Sequence, residues 1–327
     1  MNKLTKIGLT ALAGSLVAVS AHAGSMSVSG SASLTISDAD VDNTQATTAE
    51  GNLWTMGDSL TFTGGGELDN GMTVAVSYEY DDDEADANAT SAEEGGFDTH
   101  SITLSSDEMG SITFAGHGGS GALDAMDDKM PNAFEESWDI TAGNAAPPGG
   151  MTANNMFTYK SPSISGAVLT IGYVPGGSSG APNGGYTDFG ITLKPEAFDG
   201  LEVGFAMGET EETAGTTIDE QAMYAKYSYG SLTVGYQKNE TDGPAASNDV
   251  EFTAIGVTYA VTDDITIGYG QSTYDLASDS DDQEATGLSA SFTSGGMTIA
   301  GGMNSADNVN NGATDAEGYE FNISFAF

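Results

Sequence analysis

The residues with the clearest chemical potential are carboxylates in the segment 117–150. Six of them stand among apolar and aromatic residues: Asp124, Asp127, Asp128, Glu135, Glu136 and Asp139. Carboxylates grouped in this way attract cations. The apolar neighbours, such as Leu123 and Trp138, need a surface on which to pack, so the segment is not a disordered linker. A long connection inside a compact domain is then typically functional. We therefore take the six acids as the leading candidate site.

A second acidic pattern, Asp38-x-Asp40-x-Asp42, has the alternating oxygen ligands of a calcium loop. Asn43 replaces the expected Gly, and Ala49 occupies the position of the bidentate Glu. The pattern is therefore not an EF-hand. Loose bridging of Ca²⁺ or Mg²⁺ by these acids stays open as an alternative to a simple solvated loop.

Catalytic groups and nucleic-acid contacts are not indicated. His100 and His117 are isolated and the chain has no Cys, so neither a zinc site nor a thiolate nucleophile is expected. The 48 acidic residues face only 7 basic ones, none of them arginine, and the formal net charge is −41. Binding to phosphates needs Lys and Arg, which excludes nucleic acid as a partner. The sequence predicts no enzyme and no cofactor.

The N-terminus has the features of a secretory signal peptide. Lys3 and Lys6 precede an apolar run over residues 7–19, and Ala21-His22-Ala23 supplies the small residues of a cleavage site. We expect residues 1–23 to be removed and residues 24–327 to form a single domain. That domain has no stretch approaching the roughly 20 apolar residues of a transmembrane helix.

Alternation of apolar and polar residues recurs along the mature chain and predicts β-strands. In the last ten residues, one face carries only apolar side chains: Tyr319, Phe321, Ile323, Phe325 and Phe327. Sixteen such stretches occur, joined alternately by short turns and longer loops, so that the short turns share one end. This sorting favours an all-β fold, a 16-stranded antiparallel transmembrane β-barrel, over a soluble sandwich. The last strand is expected to pair with residues 25–36 and close the barrel.

The two faces of the predicted strands differ as a membrane barrel requires. Tyrosines stand near the ends of the apolar faces, where hydrocarbon meets headgroups: Tyr78, Tyr80, Tyr173, Tyr227, Tyr229, Tyr236, Tyr259 and Tyr269. The opposite faces are small and polar, and we expect them to meet water: Thr73, Ser77, Glu79, Thr170, Gly172, Gly204, Thr233, Gly235, Gly268 and Gly270. Most of the 48 acids fall in the longer loops, including 81–98 and 208–220, and predict a negative vestibule at one mouth of a pore.

The whole mature chain resembles the general porins of Gram-negative outer membranes, particularly the alphaproteobacterial type. The resemblance rests on the leader, the sixteen strands, the long third loop 117–150 and the terminal Phe327. It implies an outer-membrane location, a third loop folded into the lumen, and a homotrimer of barrels. It also implies that Phe327 is an assembly signal read by the outer-membrane barrel assembly machinery. Outer-membrane lipid and lipopolysaccharide would surround the barrel, and divalent ions could bridge loop acids to lipopolysaccharide phosphates.

In that family, acids of the third loop face basic residues on the wall. The resemblance thus implies a pore constriction that contains the six acids named above together with Lys226, the one lysine of lumen parity within a strand. Because the chain lacks arginine, it departs from the basic wall of the family, and we do not expect the family's electric field across the pore here. The Debye length is about 8 Å at 0.15 M salt, so acids inside the lumen should dominate selectivity over acids at loop tips.

The sequence therefore predicts an outer-membrane porin, a passive channel for small hydrophilic solutes and ions with a preference for cations. Two alternatives remain. One is a secreted acidic β-rich adhesin or surface-layer protein built as a sandwich. The other is a substrate-specific outer-membrane channel, for which the scarcity of Lys and Arg speaks against anions but leaves sugars open.

Overall fold

A computed structural model describes residues 24–41, 53–81, 97–141, 145–177, 184–213 and 216–327. The predicted signal peptide and Asp42 lie outside these ranges. Sixteen strands follow one another along the chain: β1 (Ser25–Val41), β2 (Leu53–Glu67), β3 (Thr73–Asp81), β4 (Thr99–Ser106), β5 (Gly110–His117), β6 (Met156–Lys160), β7 (Ala167–Pro175), β8 (Gly185–Leu193), β9 (Leu201–Thr213), β10 (Thr216–Tyr229), β11 (Leu232–Asp242), β12 (Val250–Ala260), β13 (Ile265–Leu276), β14 (Gln283–Ser294), β15 (Met297–Asp307) and β16 (Ala316–Ala326). One-turn 3₁₀ helices occupy Asp124–Met126, Ala246–Asn248 and Val309–Asn311.

The strands form a closed antiparallel barrel in which each pairs with its neighbour in sequence and β1 pairs with β16. At the closure, Leu34 lies opposite Ile323 and Ile36 opposite Phe321. The backbone of the last residue completes the seam: the Gly30 N–H donates to the Phe327 carbonyl at 2.8 Å, and the Phe327 N–H donates to the Gly30 carbonyl at 2.9 Å. The 16-stranded barrel and its closing pair are thus confirmed. A sandwich is ruled out, because it would leave unpaired edges.

The two faces of the sheet differ as their alternation predicts. Large apolar side chains stand on one face and are exposed, for example Leu288 at 59% and Met303 at 62%. The eight tyrosines predicted near the ends of the apolar faces all belong to this exposed set. Among the residues that the structure describes, no helix is long and apolar enough to span a membrane.

One predicted loop is wrong. The segment 208–220 is mostly strand, since β9 continues to Thr213, β10 begins at Thr216, and Glu209 pairs directly with Asp219. Acidic side chains take the places of apolar ones here, so the hydrophobic alternation stops while the hydrogen-bonded ladder continues. Strand lengths vary widely, from 17 residues in β1 to 5 in β6.

Burial is distributed very unevenly around the barrel. Among residues 24–38, 53–81 and 97–114, for which the structure describes the side chains, no residue is buried, whereas buried residues are frequent from Ala115 onward. The main core cluster joins side chains of the β5–β6 connection, among them Leu123, Met126 and Trp138, to Tyr186 and Phe252 of the strands. The apolar core of this protein therefore lies between one loop and the polar face of the sheet.

Candidate functional site

The connection between β5 and β6, residues 118–155, is here named the long loop. It contains the predicted segment 117–150 except for His117, which ends β5, and its residues 142–144 are not among those described. A short bridge closes its neck: the Gly119 N–H donates to the Ala153 carbonyl at 2.9 Å, and the Ala153 N–H donates back at 3.0 Å. Thr158 Oγ1 of β6 also donates to the Ser120 carbonyl at 2.8 Å. The loop therefore leaves the sheet and returns to it at one fixed point.

Asp188 on β8 anchors the first limb of the long loop. Its Oδ2 accepts hydrogen bonds from the N–H groups of Ala122 at 2.6 Å and Leu123 at 2.9 Å, and from the Tyr186 hydroxyl at 2.8 Å. The Asp188 side chain is fully buried. Both amides stand at the start of the 3₁₀ turn Asp124–Met126, where N–H groups cannot find acceptors within the turn itself. Asp188 thus fixes where the loop starts across the sheet.

Two amide side chains of β11 hold both limbs of the loop. Gln237 accepts from the Lys129 N–H at 2.8 Å and donates to the Asp127 carbonyl. Asn239 donates to the Pro148 carbonyl at 2.8 Å on the returning limb. Because an amide group offers a donor and an acceptor together, each side chain can satisfy loop backbone that would otherwise be buried without partners.

The middle of the loop reaches β13, β14 and β15. Ser137 Oγ donates to Ser272 Oγ at 3.1 Å, the Ala133 N–H donates to Ser289 Oγ at 3.1 Å, and Asn304 Nδ2 donates to the Glu136 carbonyl at 2.5 Å. The Trp138 ring meets Phe252 edge-on, with centroids 5.0 Å apart. Gln283 on β14 adds a contact to the returning limb, accepting from the Ala145 N–H at 3.0 Å.

Glycines on the polar face of the sheet leave room for the long loop to pack closely. A Cβ atom at Gly235 would lie 2.5 Å from Pro131 Cδ, one at Gly256 would lie 2.7 Å from the Pro131 carbonyl oxygen, and one at Gly268 would lie 2.8 Å from the Ala133 nitrogen. The absence of a side chain is what allows loop and sheet to approach this closely. The prediction that Thr170, Gly172, Gly204 and Gly268 meet water is wrong, because all four are buried. Gly235 and Gly270 are half-buried against the loop.

The polar face of the barrel accordingly divides in two. We name the polar face of β6–β16, against which the long loop packs, the covered wall. We name the polar face of β1–β5 the bare wall, since its described residues are not buried except for Ala115 at its edge.

The six candidate acids of the loop are not equivalent. Asp128 and Asp139 are exposed, whereas Asp124, Asp127, Glu135 and Glu136 are half-buried. Carboxylate oxygens of Glu135, Glu136 and Asp139 lie within 4.8 Å of one another, so that each group disfavours ionisation of the others. Among the residues described, this trio is the group whose spacing would suit a metal ion, although spacing alone does not make a site. The Asn132 side-chain amide donates to Glu136 Oε1 within the same turn.

Burial changes the titration of three of these acids. Burial, with the charges of Asp124 and Asp128 adding to it, raises the pKa of Asp127 to about 7. Burial also raises the pKa of Glu135 to about 7, with contributions from Asp139, Glu320 and Asp128. The pKa of Glu136 lies well above its usual range, again mainly because of burial. The charges of Asp127 and Glu135 therefore change near neutral pH instead of near pH 4, where exposed carboxyls titrate.

The predicted basic partner, Lys226, is on the polar face of β10 and half-buried. Its Nζ lies 5.9 Å from the centroid of the Tyr224 ring, and its strand partner on β9 is Glu202. Tyr224 donates to Glu202 at 2.7 Å, and Lys194 forms an ion pair with the same carboxylate at 3.1 Å. Lys226 thus belongs to a group near the short-turn end of the covered wall.

The remaining candidates are placed separately. Asp38 and Asp40 lie on β1, paired with Tyr319 and Glu317 of β16, so the extended ladder replaces the turn that a calcium loop requires. Phe327 ends the closing seam, and its side chain is 55% exposed.

Sequence reasoning missed the anchors on the wall, chiefly Asp188, Gln237, Asn239 and Gln283. All four are buried polar residues at polar-face positions, and parity alone does not separate such residues from side chains that meet water. A signal was nevertheless present: the polar face carries Gly repeatedly on β11–β15 and Ser or Thr on β1–β5.

Three solved structures with the same fold are distant from this chain in sequence. An anion-selective porin from Comamonas acidovorans superposes with a TM-score of 0.66 and 16% identity, over 93% of this chain and 100% of that one. A triple mutant of the Rhodopseudomonas blastica porin gives 0.64 and 15%, over 92% and 100%. The outer-membrane protein OmpT of Vibrio cholerae gives 0.63 and 12%, over 94% and 99%. These likenesses establish the fold.

No curated protein matches the chain in sequence. The sequence model of a family described as Gram-negative porin, however, matches residues 8–284, which is most of the chain. That match, together with the closed barrel, shows that this chain belongs to the Gram-negative porin family and is a protein of the outer membrane.

Proposed function

We propose that the barrel is a water-filled passive diffusion channel for small hydrophilic solutes and ions, with a preference for cations, and not an enzyme. The observation that carries this proposal is the division of the polar face into a covered and a bare wall. A barrel of sixteen strands is wide enough to leave an aqueous channel. The long loop fills one side of that width, and the bare wall bounds what remains.

The long loop is proposed to lie inside the lumen and to narrow it. Its partners, from Asp188 on β8 to Asn304 on β15, all belong to the polar face, opposite the exposed apolar side chains. A loop that crosses the interior of the barrel reaches these strands directly. A loop that ran around the outside would instead cover the apolar face.

The preference for cations follows from the charges around this passage. The constriction consists of Asp124, Asp127, Asp128, Glu135, Glu136 and Asp139 on the loop, with Lys226 as the basic residue of the covered wall. Strands β1–β5 contain neither Lys nor Arg. Rings of carboxylates favour cations over anions. The anion-selective neighbour has the same fold at 16% identity, so selectivity must be decided by side chains and not by the barrel.

The test is a reversal-potential measurement in planar bilayers under a salt gradient. The refolded mature protein should conduct and should give a cation-directed potential. Replacing the four Asp of the loop set by Asn and its two Glu by Gln should abolish most of that preference. Absence of conductance would contradict the channel, and an anion-directed potential would contradict the charge argument.

A matched control neutralises four Asp and two Glu that are exposed on the short turns, leaving the loop intact: Asp69, Asp107, Asp263, Asp264, Glu108 and Glu196. Its reversal potential should stay close to that of the unmodified channel. If both variants lost the preference equally, the loop would not be the filter.

The assembly of the protein is proposed on the resemblance to porins. Residues 1–23 act as the signal peptide, three copies associate into a homotrimer, and Phe327 is the signal for the barrel assembly machinery. Deleting Phe327 should therefore lower the yield of assembled protein in cells more than it lowers the conductance of protein refolded in detergent. A normal yield without Phe327 would contradict its role.

A further inference from the structure

The bare wall is lined mainly by hydroxyl groups. Its hydroxyl-bearing residues alternate with the exposed apolar side chains of β1–β5 and include Ser27, Ser29, Ser31, Ser33, Thr35, Ser37, Thr55, Ser59, Thr61, Thr63, Thr73, Ser77, Thr99, Ser101, Thr103, Ser105, Ser111 and Thr113. Some of them pair across strands, as Ser27 does with Thr63 at 2.6 Å and Thr103 with Thr113 at 2.8 Å. Hydroxyls donate and accept hydrogen bonds but carry no charge. A charge placed among them is therefore not neutralised.

One such charge is present. Among the described residues in the interior of β1–β5, Glu79 is the one acidic or basic side chain of the bare wall. Glu67 and Asp81 have the same parity but are the last residues of β2 and β3. Glu79 stands on β3, directly opposite Thr61 of β2 and Thr99 of β4. It is half-buried, so its carboxylate remains accessible to water.

The neighbouring strands hold the Glu79 carboxylate in place. Ser59 Oγ of β2 donates to Glu79 Oε1 at 3.0 Å, and Thr99 Oγ1 of β4 donates to Glu79 Oε2 at 3.0 Å. Each carboxylate oxygen is thus hydrogen-bonded to a different strand, which fixes the side chain against the wall. A charge fixed in this way acts on a passing ion from a constant position and needs no rearrangement of the side chain.

We infer that Glu79 is a specificity-determining residue of the channel, which makes the bare wall acidic opposite the acids of the long loop. The inference rests on the proposed function and extends it. An ion in the passage then has carboxylates on both sides, in contrast to the acid-against-base arrangement that the resemblance to porins implies. Cations are favoured from both walls, and anions are repelled from both.

The test compares Glu79→Gln with Glu79→Asp and with Glu108→Gln, an exposed carboxylate on the β4–β5 turn. The Gln variant keeps the length of the side chain and removes its charge. Removing one charge about a Debye length from the ion path should lower the cation-to-anion permeability ratio about twofold at 0.15 M salt. The Asp variant keeps the charge and should retain most of the ratio, and Glu108→Gln should leave it unchanged.

All variants should first show the heat-resistant folded form on gels, so that a changed ratio reports on charge and not on misfolding. A ratio for Glu79→Gln equal to that of the unmodified channel, while the six-acid loop variant loses its preference, would overturn the role of Glu79 alone. Absence of conductance in the unmodified protein would instead overturn the channel itself. If the permeability ratio of Glu79→Asp were as low as that of Glu79→Gln, the length of the side chain and not its charge would set the ratio. That result would also count against the inference.

Discussion

The covered wall and the bare wall belong to one sheet and follow the same alternation, yet their polar faces serve different purposes. On the covered wall the polar side chains are buried and satisfy the backbone of the long loop, as Asp188 and Gln237 do. On the bare wall they are hydroxyls that bond to one another or to Glu79. The difference teaches that a polar position in a barrel strand can be a structural anchor or a channel lining, depending on what lies across from it.

The largest difference in stability between the two walls should come from replacing Asp188, which anchors the first limb of the long loop. Asp188→Ala leaves two buried N–H groups and the Tyr186 hydroxyl without their acceptor, which should cost roughly 3–5 kcal/mol of unfolding free energy. On the bare wall, Thr103→Val removes one hydroxyl pair in contact with water and should cost less than about 1 kcal/mol. Urea unfolding of the detergent-solubilised barrel, followed by tryptophan fluorescence, measures both. Similar costs for the two variants would contradict the division into two walls.

Glycine-to-alanine substitutions on the two walls should show a smaller and more local difference in stability. A Cβ at Gly256 would meet the Pro131 carbonyl oxygen at 2.7 Å, whereas a Cβ at Gly57 on the bare wall would meet the Ser33 hydroxyl at 2.9 Å. Backbone in a packed loop cannot yield as a rotatable hydroxyl can. Gly256→Ala should therefore cost about 1–3 kcal/mol and increase open-channel noise, while Gly57→Ala should change stability by no more than about 0.5 kcal/mol. Unchanged open-channel noise and unchanged stability for Gly256→Ala would argue against close packing of the long loop on the sheet.

The pH dependence of the cation preference should reveal the contribution of the long loop's carboxylates. Burial raises the pKa of Asp127 and of Glu135 to about 7, so both are mostly neutral at pH 6 and mostly charged at pH 8. The cation preference should fall as the pH is lowered through 7, and Asp127→Asn combined with Glu135→Gln should flatten this dependence. The sign for stability is opposite: the native state binds more protons than the unfolded one between about pH 4 and pH 7, so unfolding free energy falls as the pH rises through that window. Reversal potentials measured from pH 5 to pH 9 provide the check.

Sequence patterns predicted the scaffold of this protein better than its site. Period-two alternation identifies a strand wherever one face meets lipid, which is why the sixteen strands and the β1–β16 seam were predictable. It failed at Glu209 and Asp219, where the ladder continues while apolar residues give way to acids. The anchors were out of reach for another reason: Asp188 binds loop amides 65 and 66 residues away, and Gln237 binds one 108 residues away, and such pairings leave no local pattern.

The central claim, that the passage runs between the long loop and the bare wall, can be tested by cysteine accessibility because the chain contains no Cys. Ser101→Cys places a thiol on the bare wall, and Ser272→Cys places one on the covered wall, where Ser272 is buried and bonded to Ser137. The measurement is the rate at which a water-soluble, positively charged methanethiosulfonate reduces the current of each channel. The account predicts rapid block of Ser101→Cys and little reaction of Ser272→Cys. Equal rates, or faster block of Ser272→Cys, would contradict it.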